Sequence, residues 1–128
     1  GFSPVCPGDV VLPVDVPCRT ATDACDAEER CDGSSPVCPT DVVKPAQTPC
    51  RGSEGPCDVT DYCNGTSRSC PNVFRPDTYS CRAATNGVCD APDYCSGYSA
   101  ECEDQFASGV VCRYSTGACD ITESCSGT

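Results

Sequence analysis

With 128 residues the chain is long enough for one ordinary domain, but Met and Trp are absent and there are only three Phe and five Tyr, which excludes a large shared apolar core. One residue in eight is Cys, 16 in all, so the composition reads as a disulfide scaffold and places the chain in an oxidising, extracellular or cell-surface setting. A net charge of −11, from 19 acidic and eight basic residues, argues against nucleic acid or an anionic membrane surface as partner and makes cations the natural complement.

No run of 18 apolar residues is present, so no membrane insertion is expected. The chain starts at Gly1 with no signal-like segment, and any targeting sequence is expected to have been removed or to lie outside it. Thiolate metal binding needs close pairs such as CxC or CxxC, whereas the closest pairs here, for example Cys25 and Cys31, have five residues between them and His is missing.

In chain order the cysteines keep one frame of 30 to 32 residues: Cys18, Cys25, Cys31, Cys38; Cys50, Cys57, Cys63, Cys70; Cys81, Cys89, Cys95, Cys102; and Cys112, Cys119, Cys125. Such a period is the signature of a repeat array. Residues 1–17, with Cys6, read as the end of a preceding repeat plus a link, followed by repeat 1 (18–49), repeat 2 (50–80), repeat 3 (81–111) and an incomplete repeat 4 (112–128). Gly1–Pro7 matches Gly33–Pro39 almost letter for letter, and Cys125–Thr128 corresponds to Cys63–Thr66. Two readings stay open: a segment of a longer repeat protein, or one link of a head-to-tail assembly of this chain with itself.

The links at 7–17, 39–49 and 71–76 carry prolines and are expected to be extended, while Asp32-Gly33 and Asn64-Gly65 signal tight turns. Val10–Leu12, Val42–Val43 and Val110–Val111 are expected either to make short strands or to pack against the next unit. Single helical turns are expected at Asp26–Arg30, Asp58–Tyr62, Asp90–Tyr94 and Asp120–Ser124. The fold class is therefore a small disulfide-rich repeat protein, mostly irregular with short β-strands and single helical turns, its four tandem units forming an elongated rod.

Repeat 1 reads Cys18-Arg-x-Ala-x-x-x-Cys25-Asp-x-x-Glu29-x-Cys31-x-Gly33-x-Ser35-x-x-Cys38-Pro39-x-Asp41. This resembles the C-terminal half of the disintegrin-like domains of ADAM-type and snake-venom metalloproteinases, over about 24 residues of each unit. The resemblance implies a structural Ca²⁺ held by Asp26, the Ala27 carbonyl, Glu29, Asp41 and the Val42 carbonyl, a donor set suited to a hard cation. The corresponding residues are Asp58, Asp61 and Asn72 in repeat 2 and Asp90, Asp93 and Asp104 in repeat 3. Repeat 4 has Asp120 and Glu123, with Asp9 of another chain as the matching third ligand if chains join end to end.

The resemblance also implies bridges Cys18–Cys38, Cys50–Cys70 and Cys81–Cys102, leaving Cys6 and Cys112 for bonds between chains. The loops after each Cys-Arg lack Arg-Gly-Asp; Arg51-Gly52-Ser53 comes closest but has no carboxylate. Asn64-Gly65-Thr66 is an N-glycosylation acceptor. With no His and no cofactor fingerprint, and with acidic pairs such as Glu28 and Glu29 set in the repeated frame, no enzyme is expected. The expected function is an extracellular structural or adhesive repeat protein, a calcium-stiffened rod belonging to a fibre or stalk. The alternative is a disintegrin-like module binding a cell-surface receptor.

Overall fold

The computed structural model describes residues 6, 8–85 and 87–128. Gly1–Val5, Pro7 and Asn86, and with them the match of residues 1–7 to 33–39, lie outside the described residues. Among the described residues eight short strands are formed: β1 (Pro17–Arg19), β2 (Glu29–Arg30), β3 (Pro49–Arg51), β4 (Asp61–Tyr62), β5 (Ser80–Arg82), β6 (Asp93–Tyr94), β7 (Ser108–Arg113) and β8 (Glu123–Ser126). Consecutive strands pair into four two-stranded sheets. In β1–β2, Arg19 stands opposite Glu29; in β5–β6, Arg82 opposite Asp93; and in β7–β8, Arg113 opposite Glu123, all antiparallel. The arginine after the first Cys of each of these repeats thus faces the second acid of the same repeat.

No helix occurs among the described residues, and none is long and apolar enough to cross a membrane. The four expected helical turns are not formed; each ends instead in a strand, β2, β4, β6 or β8. The reason lies in where the backbone groups go. A stretch of about five residues is far below the ~12 needed for a marginal isolated helix. Here the Ala27 N–H donates to the Val42 carbonyl (3.1 Å), the Cys25 carbonyl accepts from the Lys44 N–H (2.8 Å), and the Cys31 N–H donates to the Val16 carbonyl (2.8 Å). Partners outside the segment take the groups that an i→i+4 ladder would use. Of the expected strands, Val110–Val111 lies in β7, Val43 makes an isolated antiparallel bridge with Asp26, and Val10–Leu12 carries none.

Six disulfides follow two rules. The first Cys of a repeat bonds the fourth: Cys18–Cys38, Cys50–Cys70 and Cys81–Cys102. The second bonds the third Cys of the next repeat: Cys25–Cys63, Cys57–Cys95 and Cys89–Cys125. The Cα separations, 5.3 to 5.9 Å, lie inside the ordinary range. Repeats 1 to 3 are therefore each closed on themselves and also tied to the repeat after.

The chain divides into two compact units, Gly1–Arg51 with Tyr62–Pro71, and Gly52–Asp61 with Asn72–Thr128. The division cuts through repeat 2 between its second and third cysteines. Cys57 bonds forward to Cys95 and belongs to one unit; Cys63 bonds back to Cys25 and belongs to the other.

The interior is unusual in its chemistry. The buried apolar residues are Cys25, Cys57, Cys63, Cys95 and Cys125, and the buried polar ones are Asp26, Glu29, Asp58, Asp61 and Asp93. Val10, Leu12, Tyr98 and Ile121 are exposed by 86, 58, 76 and 74%. Burial of oily side chains is normally the main driving force for folding; here disulfides and carboxylates occupy the inside.

The invariant Gly two residues after the third Cys has a backbone cause. Gly33 and Gly65 sit at φ +75° and +78°, in the left-handed region. A Cβ at Gly65 would lie 3.0 Å from the Ala46 nitrogen. The turn is closed by the residue before it: Asp32 Oδ1 accepts from the Ser34 and Ser35 N–H groups (both 2.8 Å), and Asn64 Oδ1 from those of Thr66 (2.9 Å) and Ser67 (2.8 Å).

Candidate metal centres

The candidate sites form where the second Cys delivers its Asp. The Asp26 carboxylate folds back on the preceding loop, accepting from the Thr22 N–H (2.8 Å) and Oγ1–H (2.7 Å). The motif recurs: Asp58 accepts from the Glu54 N–H (2.9 Å), Asp90 from Thr85 N–H and Oγ1–H (2.5 and 2.6 Å), and Asp120 from Thr116 N–H and Oγ1–H (2.9 and 3.0 Å). These bonds favour the charged form. The Thr22 hydroxyl, followed by its N–H, holds Asp26 below the usual carboxylate range despite the opposing effect of burial; the Thr85 hydroxyl does the same for Asp90, and the Thr116 N–H for Asp120.

The second acid is anchored by the segment after the fourth Cys. Glu29 Oε1 accepts from the Val42 N–H (2.8 Å), Asp61 Oδ1 from the Val73 N–H (3.1 Å) and Asp93 Oδ1 from the Gln105 N–H (2.6 Å). One residue further on, Val43, Phe74 and Phe106 make isolated bridges to Asp26, Asp58 and Asp90. The third expected ligand, Asp41, Asn72 or Asp104, immediately precedes the anchoring N–H, so these backbone bonds fix the part of the chain that carries it. The Val42 carbonyl, an expected ligand, already receives the Ala27 N–H, and its second lone pair faces no constraint from that bond.

In repeat 1 the three acids converge on two guanidinium groups. Arg19 Nη1 lies 3.3 Å from Glu29 Oε2 and 3.7 Å from Asp41 Oδ1; Arg68 Nε lies 3.6 Å from Asp26 Oδ1, and its Nη2 meets Asp41 Oδ2. In repeat 3 Arg82 spans Asp93 (Nε to Oδ2, 2.5 Å) and Asp104. An open pocket of about 340 Å³, lined by Arg82, Thr85, Asp90, Asp104 and Phe106 among others, adjoins them. In repeat 4 Arg113 grips Glu123 through Nε and Nη2 (both 2.6 Å) and reaches Asp120 at 3.2 Å. Asp9, the expected third ligand for that repeat, is exposed.

Among the described residues the groups of three whose ligand atoms lie within 4.8 Å of one another are all of cysteines; in the acid clusters guanidinium groups lie against the carboxylates. Asp26 is 1% exposed and Asp93 0%, yet Asp26 Oδ1, Asp41 Oδ1 and Asp93 Oδ2 are buried without a hydrogen-bond partner. A buried carboxylate oxygen left unsatisfied is costly, because water no longer solvates its charge. The arginines, whose side chains are 39 to 57% exposed, offset the charge of these carboxylates as ion pairs. Asp26, Glu29 and Asp41 together with the Val42 carbonyl would offer a hard cation the oxygen-only donors it takes, once the arginines are displaced.

Asn64 is exposed in its turn, its Oδ1 also accepting from Thr66 Oγ1–H (3.1 Å). The threonines at Thr22, Thr85 and Thr116 were not singled out in the sequence. Their signal was available, since each stands three residues after the Arg of a Cys-Arg pair. Comparison with family models, with curated proteins and with solved structures finds no match.

Proposed function

We propose that the chain is an extracellular structural or adhesive repeat protein, a disulfide-bonded and calcium-stiffened rod that belongs to a fibre or cell-surface stalk. The observation that carries this reading is the chemistry of the interior: among the described residues every buried one is a cysteine or an acid. A chain that buries Asp26, Glu29, Asp58, Asp61 and Asp93 with so little apolar core gains from a divalent cation that neutralises them, as metal binding free energy becomes folding free energy. The two disulfide rules support a quasi-one-dimensional array in which each unit is tied to the next. Six bridges favour an oxidising location.

The Cys-Arg loops support a structural role over receptor binding. In each repeat the loop's backbone, at Thr22, Glu54, Thr85 or Thr116, is bonded to the acid of its own unit. A loop engaged inward in all four repeats serves the site, and the role of the acids is to hold an ion and not to perform catalysis. Asn64 carries sugar where the source glycosylates.

Thermal denaturation and limited proteolysis, with calcium and with a chelator, test the reading. The expected result is a lower Tm and faster cleavage in the chelator, restored by calcium and not by sodium. An unchanged Tm and cleavage rate would refute the stiffening by calcium.

A further inference from the structure

Four cysteines carry free thiols: Cys6, Cys31, Cys112 and Cys119. In the repeat frame these are a fourth, a third, a first and a second cysteine. The two disulfide rules join first to fourth within a repeat and second to the third of the next. Applied across two copies of the chain, the rules leave one solution. We propose that copies join head to tail through two disulfides, Cys112 of one copy to Cys6 of the next and Cys119 of the first to Cys31 of the next. The inference deepens the proposed rod by naming its covalent joint, and it does not depend on the calcium sites.

Local geometry supports this register. The sulfurs of Cys25, Cys50 and Cys70 lie within 4.8 Å of one another, as do those of Cys57, Cys81 and Cys102. In both groups a first–fourth bridge stands beside the second Cys of the repeat before. Cys112 occupies the corresponding place against the Cys89–Cys125 bridge, all three sulfurs again within 4.8 Å. Its own mate is the one part of the pattern not supplied. Cys6, Cys112 and Cys119 are exposed and Cys31 is half-buried, so all four are open to a partner.

The same register brings further groups into place. Asp9 stands three residues after Cys6, as Asp41 does after Cys38. Asp9 would then join Asp120 and Glu123, with the Val10 N–H on Glu123 and Val11 opposite Asp120, as Val42 and Val43 serve Glu29 and Asp26. Val10, 86% exposed, gains a role in that pairing.

Each bond forms by thiol–disulfide exchange with a small-molecule disulfide. One protein thiolate attacks it and releases one thiol; the second protein thiolate then displaces the other. Two protein thiols are oxidised and one external disulfide is reduced to two thiols, so protons and electrons balance.

The test mixes light and isotopically heavy chains in an oxidised and reduced glutathione buffer, followed by non-reducing electrophoresis and mass mapping of linked peptides. The expected result is a ladder of multimers in which Cys6–Cys112 and Cys31–Cys119 peptides are linked, about half of them pairing a light chain with a heavy one. The C112S/C119S double variant, which keeps all six internal bridges, should remain monomeric, and C112S alone should give a ladder joined only through Cys31–Cys119. Linkage only within one isotope, other pairings such as Cys6 to Cys6, or four persistent thiols would each overturn the proposal. Repeating the mixture in a chelator separates the two claims: bonds that still form leave the joint standing even if the calcium reading fails.

Discussion

Replacing both Cys25 and Cys63 by Ala removes the bridge between repeats 1 and 2 while leaving each repeat closed on itself. The bridge spans 38 residues of chain, and chain-entropy reasoning gives about 3.9 kcal/mol for a loop of that length. Cys18–Cys38 and Cys50–Cys70 shorten the path between its ends to about 26 residues, which lowers the figure to about 3.5 kcal/mol. Loss of the two buried sulfurs, 0 and 1% exposed, adds a cavity cost on top. The Cys18–Cys38 bridge spans 20 residues and is worth about 3.3 kcal/mol by the same reasoning, without the buried packing. Guanidinium unfolding of the two double variants, each with its bridges verified by mass, should therefore show C25A/C63A to be the less stable. It should also unfold in separable steps, because repeat 1 is then held to repeat 2 by noncovalent contacts such as those of Arg68 with Asp26 and Asp41. Equal stability, or a C25A/C63A variant that unfolds in one step as the unmodified chain does, would refute the view that bridges between repeats carry the array.

Acid should weaken the fold in a defined window. Asp26, Asp90 and Asp120 are held below the usual carboxylate range, so their contribution is fully present above about pH 4 and is lost as the pH falls through their lowered folded values. Thermal scans from pH 7 to pH 2 should show a flat Tm down to about pH 4 and then a fall. Gly65→Ala, at φ +78° and with its new Cβ 3.0 Å from the Ala46 nitrogen, should cost about 1 to 2 kcal/mol in denaturant midpoint. Gly52→Ala, where a Cβ meets nothing within 4 Å, should be close to neutral. Thr22→Val removes the hydroxyl that bonds Asp26 at 2.7 Å and should weaken calcium binding in a titration more than Thr20→Val, which leaves that bond intact.

Much of this was legible because it is local. The period of the cysteines, the Asx-Gly turns and the absence of an apolar core follow from residue types and spacings, and a disulfide-rich fold of short strands follows from them. The helical turns did not form because Ala27 and the flanking Cys25 and Cys31 spend backbone groups on Val42, Lys44 and Val16, partners up to some 19 residues away that no local pattern reveals. The second-to-third bridges were illegible for the same reason: Cys25 and Cys63 lie 38 residues apart, in different repeats. The acids of the candidate sites stood out through their regular place beside cysteines. The threonines that hold them did not, since Thr in a loop is common and only its position three residues after Arg marks it. The arginines, which open the loops after each first cysteine, face the acids because β1 and β2 put Arg19 opposite Glu29.

The central claim is that the buried acids hold calcium. Native mass spectrometry of the oxidised chain, exchanged into volatile buffer with millimolar calcium, tests it most directly. The account predicts three bound calcium ions per monomer, one in each of repeats 1 to 3, one fewer in the Asp26→Asn variant, and a fourth per joint in head-to-tail multimers. A chain that retains no calcium under these conditions, or that binds it equally well after Asp26→Asn, Asp58→Asn and Asp90→Asn are combined, would contradict it.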